Sequence, residues 1–205
     1  PFFNNGFTGE ARELARRMIE VFWGYEYVVT PSGSCAAMVR EHFPTLFKGD
    51  GFWEERANSM AGRTFEFVEF LEKQIRVDLS KWKLPTTRAV TYHYTCHQRG
   101  LGMTDEAVTL LRAIGNVEFR PMEKAEQCCG FGGTFAVKYP AVSGAIVEDK
   151  VKCLAASGAA TVICNDAGCA MNISGMCHRQ GKAVEVTHIA QLIAEAMDVS
   201  LDGWE

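Results

Sequence analysis

The chain has 205 residues, 47% of them apolar and 22% charged, with 19 Gly, 6 Pro and 8 Cys. These proportions belong to a globular protein and exclude a disordered or collagen-like one. The formal charge is −4 with Lys and Arg scattered, so the basic patch of a nucleic-acid binder is missing, and no stretch approaches the roughly 18 uninterrupted apolar residues of a membrane span.

A helix is expected over residues 10–22, where Ala11, Leu14, Ala15, Met18, Ile19 and Phe22 fall on one stripe. A short strand, Tyr25 to Val29, should follow, then a turn at Pro31-Ser32-Gly33-Ser34 and a second short helix ending near Pro44. A Gly-bearing connection, Lys48 to Gly51, leads into an expected long helix from about Trp53 to Leu79, with Phe65, Val68, Leu71 and Ile75 on its apolar side. From Arg88 strands and helices alternate. The expected strands are Ala89 to Tyr94, Val117 to Phe119, Ala160 to Cys164 and Ala183 to Val186, and the expected helices are Thr104 to Ile114, Pro140 to Ala156, one from Ala170, and Ile189 to Met197. This alternation predicts an α/β fold, a parallel sheet in Rossmann-like layers with helices on both faces. Ligands of such folds sit at the carboxyl ends of strands. Cys96 lies just past one expected strand end, and Cys164 and Cys169 lie at and beyond another.

One segment occurs twice. Val28-Val29-Thr30-Pro31-Ser32-Gly33-Ser34-Cys35-Ala36 aligns without gaps on Val162-Ile163-Cys164-Asn165-Asp166-Ala167-Gly168-Cys169-Ala170, so Cys35 and Cys169 are mates at an offset of 134 residues. The expected organisation is the C-terminal part of a first cysteine-rich repeat over 1–48, a connecting helical segment over 49–87, a complete second repeat over 88–199 and a tail over 200–205. The chain opens on Pro1-Phe2-Phe3 without an initiating Met, and the first repeat is expected to be truncated, Cys35 being its surviving cysteine.

The cysteines are too sparse for a disulfide-stapled scaffold, and the chain is long enough to hold a core without staples, so a thiol or metal site fits better. In the second repeat 31 residues separate Cys96 from Cys128 and 39 separate Cys129 from Cys169. Thiolates bind soft metals and iron–sulfur clusters, and loops at neighbouring strand ends would bring a dispersed set together. Adjacent Cys128 and Cys129 can hardly pair without strain. Gly130, Gly132 and Gly133 would let the backbone turn closely around an inorganic core and aim its amides at sulfide. The same loop fails as a dinucleotide site, because Phe135 stands where the third Gly is needed. His93 is a candidate supporting donor or alternative ligand, or an ordinary strand histidine, and Asp166 is a helix cap or a residue tuning the site. Cys153 lies on a helical stripe with Val147, Val151 and Leu154 and is read as core; packing is also favoured for Cys164 and a non-ligand role for Cys177.

These motifs resemble the cysteine-rich CCG family, whose members occur in heterodisulfide reductase, in the iron–sulfur subunit of glycolate oxidase and in the anaerobic glycerol-3-phosphate dehydrogenase. Cys128-Cys129-Gly130-Phe131-Gly132-Gly133-Thr134-Phe135-Ala136-Val137-Lys138, Asp166 to Gly175 and Val186 to Ala190 are most similar to the family members that serve lactate utilization. The resemblance implies a cytoplasmic iron–sulfur electron-transfer subunit of a complex oxidising L-lactate, a small 2-hydroxy acid, to pyruvate. It would work beside a ferredoxin-like iron–sulfur subunit and a third subunit. The resemblance further implies that Cys96, Cys128, Cys129 and Cys169 hold a cluster of the 4Fe-4S type, with Cys35 a ligand of the first site. Asp166 stands where heterodisulfide reductase has the first Cys of a terminal pair, which argues against the alternative of disulfide reduction. A further alternative is structural zinc in the four-thiolate site, some relatives being thought to carry zinc in one repeat.

Overall fold

The computed structural model describes residues 1–199, and the tail expected over 200–205 lies outside the described residues. The elements in chain order are α1 (Thr8–Phe22), β1 (Val28–Thr30), α2 (Gly33–Ala37), α3 (Phe43–Leu46), α4 (Gly51–Gly62), β2 (Thr64–Glu66), α5 (Phe67–Glu69), β3 (Lys83–Tyr92) and α6 (Cys96–Gly100). They continue with α7 (Glu106–Ala113), β4 (Gly115–Phe119), α8 (Thr134–Lys138), α9 (Pro140–Ser157), β5 (Thr161–Cys164), α10 (Ala167–Arg179), β6 (Glu185–His188) and α11 (Ile189–Ala196). Among the described residues no helix is long and apolar enough to cross a membrane.

The α/β class is as expected, with every strand pairing parallel. A sheet of order β4-β3-β5-β6 carries helices on both faces. On one face Leu110, Leu111, Ile189, Leu192 and Ile193 pack on Val90, Tyr92 and Ile163; on the other Val147, Val151, Leu154, Ile173 and Met176 pack on Val162 and Cys164. The alternation of Val162, Ile163 and Cys164 between these cores is the period of a doubly covered strand. Cys164 and Cys177 are buried in the second core and Cys153 packs against it, which agrees with reading them as packing residues.

A second sheet pairs β1 with β2, whose residues lie in the segment expected to connect the repeats. Its core holds Ala11, Ala15 and Ile19 of α1 together with Phe43, Phe47, Ala57 and Met60, whereas Leu14, expected on the same stripe, is exposed. The one long helix expected from Trp53 to Leu79 does not form. It is α4, then β2, α5 and a π-helical turn over Phe70–Ile75, and β3 already begins at Lys83, inside the segment expected to be a helical connection. The Glu66 carboxylate accepts from the Val68 and Glu69 amides and the Glu69 carboxylate faces the Glu66 amide, a capping box that opens a new helix. A three-residue strand leaves no period of its own, so the spacing of Phe65 and Val68 imitates a helical one.

Hydrogen bonds join the two duplicated segments and their neighbouring strands. Thr30 pairs with Glu66 in one register and Cys164 with His188 in the other, so Glu66 and His188 hold equivalent places. Asn165 Nδ2 donates to Glu66 Oε1 at 3.0 Å, and His188 Nε2 donates to the Pro31 carbonyl at 2.7 Å, Pro31 being the mate of Asn165. Ser32 Oγ donates to Asp166 Oδ2, its own mate 134 positions on, at 2.8 Å. Reciprocal contacts with mates touching at the centre are the pattern of an approximate two-fold axis.

Glu66 is fully buried at this junction, and burial pushes its carboxyl up to about 6 against the hydrogen bonds that lower it. A carboxyl that holds its proton more tightly folded than unfolded stabilises the protein below its ordinary range and withdraws that contribution as pH rises through 6, here about 2 kcal/mol. Chemical denaturation of Glu66→Gln between pH 4.5 and 6.5 should therefore lack part of the wild-type decline. The variant can keep its cross-unit bond, because the unpartnered Asn165 Oδ1 can turn to accept from the new amide.

Candidate metal centre

In the order β4-β3-β5-β6 the chain leaves β3 toward β4 and returns to the other side of β3 as β5. The carboxyl ends of β3 and β5 therefore flank a topological switch point, the position at which open α/β sheets bind ligands. Three segments converge there. β3 runs into His93 and then Cys96 at the start of α6, where Thr95 Oγ1 accepts from the Gln98 amide. β5 runs into Asp166, the N-cap of α10, whose first turn carries Cys169. The loop between β4 and α8 brings Cys128 and Cys129, and the Asn172 side chain of α10 donates to the Cys129 carbonyl at 2.7 Å.

All eight cysteines are free. Cys96, Cys128, Cys129 and Cys169 form a row from the surface inward: Cys96 and Cys128 are exposed, Cys129 and Cys169 buried. Cys128 stands near enough to Cys96 and Cys129 to perturb their ionisation, and Cys129 Sγ stands 2.9 Å from Cys169 Sγ, well beyond the roughly 2.05 Å of a disulfide. The Cys129 and Cys96 thiols, with the Gly130 amide 3.3 Å from its sulfur, hold Cys128 far below the ordinary thiol range. The same contacts with Cys128 push Cys96 and Cys129 upward, and burial adds to both.

His93 closes the inner end. A ring nitrogen of His93 and the sulfurs of Cys129 and Cys169 all lie within 4.8 Å of one another. The ring is 1% exposed, and both its nitrogens lack a hydrogen-bond partner. Burial lowers its pKa to about 3, so the imidazole is neutral and can offer a lone pair. A buried imidazole with two orphaned nitrogens costs free energy unless something at the site engages it. Soft thiolates beside a neutral imidazole fit a soft metal ion or a cluster.

Gly130, Gly132 and Gly133 all have positive φ, so the loop needs backbone conformations that L side chains rarely adopt. Asp166 is engaged at both oxygens, Oδ2 by Ser32 and Ser34 at 2.8 and 2.7 Å and Oδ1 by the Gly168 amide at 3.0 Å, so it acts as cap and unit tie. Cys35 does not join the row. It is exposed and lines an apolar groove of about 400 Å³ with Met18, Phe22, Tyr27 and Met38.

Two supports have no place among the sequence expectations. Asn172 follows Cys169 by three helical positions, a spacing that puts both on one face and could have flagged it. Phe131 carries no signal of its own within the Gly-rich loop, yet its ring fills the space above Gly168.

The profile of the CCG cysteine-rich domain matches residues 1–40 and 90–174. Lactate utilization protein A of Anoxybacillus flavithermus (strain DSM 21510 / WK1) is 42% identical over 194 residues, which is 94% of this chain and 80% of its own length. Lactate utilization protein A 2 of Bacillus cereus (strain AH820) is 38% identical over 199 residues, 97% of this chain and 81% of its own. Lactate utilization protein A of Bacillus licheniformis is 41% identical over 194 residues, with 94% and 80% covered.

A Cβ on Gly168 would stand 2.5 and 2.6 Å from two Phe131 ring atoms. Gly168→Ala should thus destabilise by about 1–3 kcal/mol through overpacking, although Ala ordinarily strengthens a helix. In a denaturation double-mutant cycle, adding Phe131→Ala should make the Gly168→Ala step markedly less costly; strict additivity would remove the ring from this account.

Proposed function

Since the chain belongs to the CCG cysteine-rich domain family, we propose that it serves lactate utilization as an iron–sulfur electron-transfer subunit, with Cys96, Cys128, Cys129 and Cys169 as cluster ligands. The observation that carries this reading is the row of four thiols at the switch point, ending on an imidazole whose nitrogens have no partner. The complex would oxidise L-lactate, a small 2-hydroxy acid, to pyruvate in the cytoplasm, with a ferredoxin-like iron–sulfur subunit and a third subunit as partners. When bound, a cluster of the 4Fe-4S type supplies reversible one-electron chemistry.

The chain's own residues do the rest. Cys128, whose pKa its neighbours lower, gives up its proton readily on ligation, and Cys129 and Cys169 anchor the buried side. Cys96 and Cys128 keep the other side at the surface, where a partner's redox group can approach. The Gly130 amide already donates to sulfur and would lower the charge that accumulates there. Cys35 is the proposed ligand of the first unit's own site.

Zinc is the second reading, and one observation favours it. His93, Cys129 and Cys169 form a triangle within 4.8 Å, with Cys128 adjacent to Cys129 in the chain, a compactness and donor set that suit one tetrahedral ion.

Elemental analysis and visible absorption of anaerobically purified protein separate the two: iron with sulfide and a brown chromophore support the cluster, whereas stoichiometric zinc in colourless protein overturns it in favour of zinc. In the full-length protein with its partner subunits, Cys128→Ser and Cys129→Ser should abolish the chromophore. Each should also cut lactate-dependent electron transfer by more than the roughly 10–100-fold that loss of a supporting residue costs. Cys153→Ser should leave both intact, because that thiol only packs against the core.

A further inference from the structure

α9 buries a lysine on a stripe whose other members are Ser143, Val147, Val151 and Leu154. Lys150 lies with Val147, Val151 and Leu154 on the buried side of the helix and is 0% exposed. Its Nζ donates to the Lys124 carbonyl at 2.7 Å and the Ala125 carbonyl at 3.1 Å. The Ala125 carbonyl also accepts the Tyr94 amide at 3.2 Å. One carbonyl therefore joins the strand end that leads to Cys96 with the loop that leads to Cys128 and Cys129, and a buried ammonium holds it.

The charge is the unusual part. Among the described residues no carboxylate pairs with Lys150. An unpaired ammonium taken out of water costs several kcal/mol, so a buried one needs negative charge nearby. Burial draws its pKa down to about 8, against which the sulfurs of Cys153, Cys129, Cys164 and Cys128 act to hold the proton, so the ammonium prevails at neutral pH. Cys153 and Cys164 are packing thiols, whereas Cys128 and Cys129 belong to the candidate metal centre, whose cysteines are anionic when they ligate.

We propose that Lys150 is a positioning residue of the cysteine site, clamping the Cys96 and Cys128 segments through the Ala125 carbonyl and serving as the fixed counter-cation of the anionic sulfur group. The proposal rests on the metal-binding reading of the site. It adds that the loaded site is negative and balanced from beneath by one lysine. A fixed positive charge favours the more negative, reduced state, so removing it makes reduction harder.

Three variants of the full chain separate charge from clamp: Lys150→Arg keeps charge and donors, Lys150→Gln keeps a donor alone, and Lys150→Met keeps neither. In anaerobically reconstituted protein the midpoint potential of Gln and Met should move negative, while Arg stays near wild type. Release of metal to a chelator should be about tenfold faster for Met, with Gln between. Amide hydrogen exchange in the metal-free protein should show residues 122–129 less protected in Met than in Gln. A Gln variant with the wild-type potential and release rate would overturn the counter-cation, and unchanged exchange in Met would overturn the clamp. If the metal is zinc, release rate alone reads the charge. Wild-type protein that binds neither iron nor zinc would instead defeat the reading of the site itself. Circular dichroism identifies a misfolded Met variant, in which case Gln against Arg carries the comparison.

Discussion

The Asp166 carboxylate is the interaction on which both the fold and the site lean. One oxygen caps α10, the helix that carries Cys169, and the other takes the hydroxyls of Ser32 and Ser34 from the first unit. Burial would raise its pKa, but these hydroxyls and the Gly168 and Cys169 amides prevail and keep it ionised. A helix cap is worth about 1 kcal/mol and each hydrogen bond to a charged group about 1.5–3 kcal/mol, so a single side chain ties two units and aims a thiol.

From that point the site follows from topology. Two adjacent parallel strands whose chain connections depart in opposite directions leave a crevice at their carboxyl ends. His93 sits on one strand end and Cys169 just beyond the other, so neither needs a long loop to reach the crevice. The Cys128–Cys129 loop does need support. It receives it from three directions: Asn172 on the Cys129 carbonyl, Phe131 wedged against Gly168, and Lys150 beneath the Ala125 carbonyl. Cysteines dispersed along the sequence thereby meet with little freedom left.

What could be read from the sequence was whatever has a local signature. The alternation after Arg88 points to the parallel sheet, the gapless match of Val28–Ala36 to Val162–Ala170 to the duplication, and the Cys-Cys-Gly-Phe-Gly-Gly string to the family. β2 is not legible, because three residues carry no period and the capping box at Glu66 imitates one more helical turn. Glu66 itself and Lys150 are hidden for a different reason: a carboxylate or an ammonium in an amphipathic pattern is ordinarily solvated, and only the tertiary arrangement turns it inward. His93 stands evenly between strand packing and ligation in the sequence, since nothing local says whether a strand-end imidazole finds partners.

The central contact of Ser32 with Asp166 also limits how alike the two halves can be. Were the first unit to carry the second unit's turn, two carboxylates would face each other across the axis in a buried setting, and one would have to take up a proton to be tolerated. The helix beneath it would then lose the charge at its amino end, and the thiol one turn along would lose its fixed bearing. Here the pairs Ser32 with Asp166, Pro31 with Asn165 and Glu66 with His188 have each become chemically unequal. With unlike groups in each pair, the contacts between the two duplicated segments are donor to acceptor in both directions.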